Sequence, residues 1–82
     1  MNKVVQSRHF KEMLKERNID DKWVKNALNE PDKIEEHDDG TKHYIKKIPE
    51  NANRFLRVVV NVSIIPVKGV TAFFDRRLRR TK

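Results

Sequence analysis

Leu56-Arg57-Val58-Val59-Val60-Asn61-Val62 is the most strongly β-prone stretch of the 82-residue chain, and its reading decides the fold. β-Branched side chains fit a pleated, half-buried surface and lose rotamer freedom in a helix. Successive strand residues point to opposite faces, so Leu56, Val58, Val60 and Val62 share one face, and Phe55, Arg57, Val59 and Asn61 the other. The stretch sits in a strand expected from Arg54 to Ile65. A further strand is expected from Val70 to Asp75, with Val70, Ala72 and Phe74 on one side and Thr71, Phe73 and Asp75 on the other. Pro66, or Gly69 shortly after it, marks a turn or bulge between the two. The all-apolar faces require a cover.

Toward the N-terminus the pattern continues as a hairpin. Lys33 to His37 forms a short edge strand, Asp38-Asp39-Gly40-Thr41 carries tight-turn chemistry, and Lys42 to Ile48 returns. Pro49 to Asn53 is a loop. The first third of the chain supplies the cover. Between Ser7 and Arg17, Phe10, Met13 and Leu14 make the i, i+3, i+4 stripe of an amphipathic helix, with Ser7 as N-cap and Asn18 closing its end. A second helix starts at Asp20, with Trp23, Val24, Ala27 and Leu28 as its apolar face, Ile19 and Val24 as a hydrophobic staple, and Pro31 as its stop. The expected fold is α+β, a two-helix hairpin packed on a three- or four-stranded antiparallel sheet. It forms a single domain over residues 1–82 with a basic tail at 76–82.

Charge divides the chain. Residues 1–41 hold 8 basic and 10 acidic side chains, and residues 42–82 hold 11 basic and 2 acidic, so the net +7 is a −2 half joined to a +9 half. Such asymmetry points to nucleic acid or an acidic protein as partner. The chain has no cysteine, which excludes disulfides and thiolate sites and fits a cytoplasmic home. No apolar run is long enough for a membrane helix, and Met1 to Val5 does not lead into a signal-peptide core. With only Gly40 and Gly69, no glycine-rich loop cradles phosphate.

Metal-independent RNA cleavage remains chemically accessible, since it needs a base, an acid and cations around the phosphate. His9, His43 and Tyr44 can supply protons; Arg57, Lys42 and the run Arg76, Arg77, Arg79 and Arg80 can supply charge. His43 and Tyr44 are adjacent on a strand, so only one of them can share the face of Arg57. A cation inside a valine-rich strand requires an anion or water. The face with Arg57, Asn61, Thr71, Phe55 and Phe73 suits a bound nucleotide and equally a solvated sheet surface. Glu35-Glu36-His37-Asp38-Asp39 is the one plausible metal cluster of the sequence, but it is read as an acidic hairpin tip that keeps the edge strand soluble, so no metal and no cofactor are expected.

The order of short landmarks carries a resemblance. Ser7-Arg8-His9-Phe10, Glu16-Arg17-Asn18-Ile19, Trp23-Val24, Pro31-Asp32, Asp39-Gly40, Lys42-His43-Tyr44, Leu56 to Val60 and Val70 to Asp75 together resemble a bacterial family of domains of unknown function, family 4258. That family is related in turn to the RelE- and BrnT-type toxins. The resemblance covers about residues 4–77 and implies a RelE-like fold. It also implies an endoribonuclease toxin of a toxin–antitoxin pair, which cuts messenger RNA, often on the ribosome, and is silenced by an antitoxin with an acidic or apolar docking segment. It singles out His9, Arg17, Arg57 and Thr71 as functional, Arg17 as an RNA contact; Asn18 departs from the glycine common in the family. The alternative is a non-catalytic nucleic-acid-binding or protein-interaction module.

Overall fold

The computed structural model describes residues 4–76, so Arg77, Arg79 and Arg80 of the expected tail lie outside the described residues. Helix α1 (Arg8–Glu16) begins where the Ser7 hydroxyl accepts from the amide of Phe10 at 3.1 Å. It ends where Asn18 takes a left-handed φ of 57°, a conformation Asn tolerates better than most side chains. The turn brings the Ile19 amide onto the Leu14 carbonyl at 2.9 Å. Helix α2 (Asp21–Asn29) is capped by Asp20, whose carboxylate accepts from the Lys22 amide at 2.9 Å. Ile19 and Val24 are both buried, as the staple requires.

Four antiparallel strands follow in meander order: β1 (Lys33–Glu36), β2 (Thr41–Ile48), β3 (Arg54–Asn61) and β4 (Lys68–Phe74). A 3-10 turn, Pro49–Asn51, joins β2 to β3 and is completed by left-handed Ala52 and Asn53. The expected α+β class and helical hairpin are present, and the sheet has four strands. One core lies between helices and sheet: Phe10, Leu14, Ile19, Val24 and Ala27 against Ile48, Leu56, Val58, Val60 and Ala72. Burying each large apolar side chain of this set contributes about 1.5–3 kcal/mol. Trp23 meets Phe74 edge to face at 5.9 Å between ring centres. Among the described residues no helix is long and apolar enough to cross a membrane.

Strand ends depart from the expectation. β3 stops at Asn61, not Ile65, because the Asn61 side chain turns back to accept from the amide and hydroxyl of Ser63 at 2.9 and 2.6 Å. Val62 is consequently 40% exposed rather than part of the core. β4 starts two residues early, at Lys68, and its register shifts between Val59 and Val60, leaving Val70 bulged and exposed. Gly69 belongs to the strand. A Cβ there would come within 3.1 Å of the Phe10 ring, so the missing side chain lets α1 approach.

The outer margin of β4 is met by two other parts of the chain. Val5 pairs in parallel with Lys68, donating to the Val67 carbonyl at 2.8 Å and accepting from Gly69 at 2.9 Å. The Ala72 carbonyl accepts from Arg17 at 2.8 Å.

Candidate functional site

The β1–β2 turn sets the site. Asp39 accepts from the Thr41 amide and hydroxyl at 3.1 and 2.6 Å, Gly40 takes φ 85°, and the His37 amide donates to the Thr41 carbonyl at 3.0 Å. This three-residue connection places Glu35 opposite His43. Alternation then puts Glu35, His37, Thr41 and His43 on the face away from the helices. Ile45 pairs with Arg57, and Arg57 with Phe73, so Arg57 extends from β3 on that same face.

Arg57 is the hub. Its Nη1 donates to Glu35 Oε1 and to His43 Nδ1, each at 2.9 Å, and its Nε donates to Asp75 Oδ2 at 2.8 Å. Glu35 Oε1 also accepts from His37 Nε2 at 3.2 Å, and the His37 and His43 rings stack at 3.9 Å. The side chains of Arg57 and Asp75 are 7% and 3% exposed, whereas Glu35 and His37 are 29% and 40% exposed. The cluster therefore has a closed end at Asp75 and an accessible end at His37.

Its electrostatics follow from those contacts. The Arg57 hydrogen bond, then that of His37, holds the Glu35 carboxyl down to about 2. Burial, followed by repulsion from His37 and Arg57, lowers His43, which favours its neutral form. Burial works against the Arg57 charge, but hydrogen bonds to Glu35 and then Asp75 outweigh it and raise its value. With Arg57 donating to Nδ1, neutral His43 carries its hydrogen on Nε2, where Thr41 Oγ1 lies 3.4 Å away.

Of the expected site residues, the structure brings His43 together with Arg57 and Arg17 together with Thr71, and leaves His9, Tyr44, Lys42 and Arg76 outside both pairs. His9 is exposed on α1. Arg17 Nη1 donates to Thr71 Oγ1 at 3.1 Å as well as to Ala72, and the Thr71 hydroxyl donates to Met13 Sδ at 3.3 Å. Thr71 thus joins α1 rather than the Arg57 cluster, because α1 packs against the edge strand on which it lies. Tyr44 packs against the core beneath the helices, and Lys42 shares its face with Nζ 3.7 Å from Glu36. Arg76 is exposed at the end of the described chain.

Arg57 itself differs from the phosphate-facing cation expected, since its Nε and Nη1 are committed to side chains of its own chain. On its face Ile45, Arg57, Val59 and Asp75 are buried, whereas Phe55, Asn61, Thr71 and Phe73 are half-buried. Glu35 and His37 enter the sequence reading only within the acidic run set aside as a metal cluster, and Lys33, whose Nζ stands 3.5 Å from Glu35 Oε2, does not enter it as a site residue. The Asp39-Gly40 turn was the signal that could have paired residue 35 with residue 43.

A family model described as a domain of unknown function (DUF4258) matches residues 6–74, from just before the Ser7 cap to the last residue of β4. No curated protein and no solved structure matches the chain.

Proposed function

The chain belongs to the DUF4258 family, and from that premise we propose that it is a RelE/BrnT-like endoribonuclease, the toxin of a bacterial toxin–antitoxin pair. It cuts messenger RNA without a metal ion, in the cytoplasm, until an antitoxin protein covers it. One observation carries the reading: the Glu35 carboxylate bridges His37 Nε2 and Arg57 Nη1 at the accessible end of the cluster. A carboxylate that holds Nε2–H leaves Nδ1 of His37 as the proton acceptor.

In the reaction His37 Nδ1 takes the proton of a ribose 2′-hydroxyl, whose oxygen attacks the adjacent phosphorus. The bond to the 5′-oxygen breaks, and that oxygen takes a proton from water, leaving a 2′,3′-cyclic phosphate and a 5′-hydroxyl. Neutral His43 offers an Nε2–H donor for a phosphate oxygen, and Lys33, 62% exposed, offers charge beside it. Arg57 is a positioning residue that holds Glu35 and His43 in register.

Purified protein should cleave single-stranded RNA in excess chelator, and induced expression should arrest growth. His37→Ala should lower cleavage about 100-fold or more while the circular dichroism spectrum is unchanged. RNA left intact by the wild type would overturn the activity in favour of a binding module. Full cleavage by His37→Ala would remove His37 as the base.

A further inference from the structure

We propose that Glu35, His37 and His43 form a site for one divalent transition ion of the zinc type, and that its binding switches off RNA cleavage. The second half rests on the ribonuclease reading; the site does not. One ligand atom from each of the three side chains lies within 4.8 Å of the others. A tetrahedral ion with bonds of about 2.0–2.2 Å sets its ligands about 3.3 Å apart. Glu35 Oε1 and His37 Nε2 already stand at 3.2 Å. His43 completes the set from the opposing strand, its position fixed by pairing with Glu35.

The present occupant of this centre is a cation, since Arg57 Nη1 is bonded to both Glu35 and His43. A metal ion takes over those two acceptors, while Arg57 keeps Asp75 through its Nε. His37, 40% exposed, turns its ring out of the stack without disturbing the core. Two imidazoles and one carboxylate select zinc and its neighbours over magnesium or calcium, which take oxygen ligands. Three protein ligands leave a fourth position for water. The ion holds both histidines and so removes the base from the reaction.

The test is a titration of the full chain with zinc chloride, followed by histidine ring proton NMR and by calorimetry. One ion per chain should bind, and magnesium should shift nothing. His37→Ala and Glu35→Gln should each weaken binding at least tenfold, whereas His9→Ala should leave it unchanged. Zinc should abolish cleavage of RNA and a chelator restore it. No binding at a 100-fold excess of zinc, equal binding by His37→Ala, or an equal response to magnesium would overturn the site. Zinc binding lost in the variants but with no RNA cleaved under any condition supports the site and removes the ribonuclease reading. Cleavage in chelator without zinc binding removes the site alone.

Discussion

Arg57 stands in the middle of a valine-rich strand, where a lone charge would cost several kcal/mol of desolvation. That it needed an anion was legible from its neighbours. Which anions was not, because Asp75 and Glu35 lie 18 and 22 residues away and reach it only through the register of three other strands. The same network makes Glu35 a reporter of acid stability. Its folded-state value of about 2 lies below the ordinary 4.5, so the unfolded chain binds that proton more tightly. The stabilisation from Glu35 is therefore complete above pH 4.5 and disappears as the pH falls toward 2. Urea denaturation across that range should show a shallower pH dependence for Glu35→Gln, which lacks the titrating group. An unchanged slope would remove the Arg57 and His37 contacts as the cause.

At the scale of elements, the helices were the most legible part, because caps and apolar stripes are local. Ser7, Asp20 and Asn18 each do in the structure what their side-chain chemistry suggests. Asn18 gives the matching prediction. Alanine at φ 57° should destabilise the protein by about 1 kcal/mol, and glycine should equal or exceed the stability of the wild type, both read from urea midpoints. Strand ends were less legible, since they depend on what the neighbouring strand does. A bulge at Val70 moved an apolar side chain out to solvent, and the Asn61 side chain ended β3 inside a run otherwise rich in Val and Ile. Thr71 meets α1 for a related reason: an edge strand has a margin as well as two faces, and α1 reaches that margin.

For the whole molecule, charge placement was visible in the sequence, whereas the burial of the sheet face that carries Arg57 was not. Alternation alone assigns a face; it does not say whether that face is covered. The net +9 of the second half includes four cations within residues 77–82. Deleting residues 77–82 should weaken RNA binding, and should reduce the slope of log affinity against log salt by up to about 3 if all four meet phosphates. An unchanged slope would place the phosphate contacts elsewhere. One feature of the sheet also limits how copies of this chain can join. Endless growth by strand addition requires two accepting borders on every molecule. Here Val5 and the Arg17 guanidinium already occupy places on the β4 border, and the β1 border is four residues long and carries Lys33, Glu35 and Glu36. Copies that did meet through β1 would stop at a pair, because the far side of each would offer the next copy nothing continuous to zip onto. Strand addition between folded copies is thereby restricted at both described borders of the sheet.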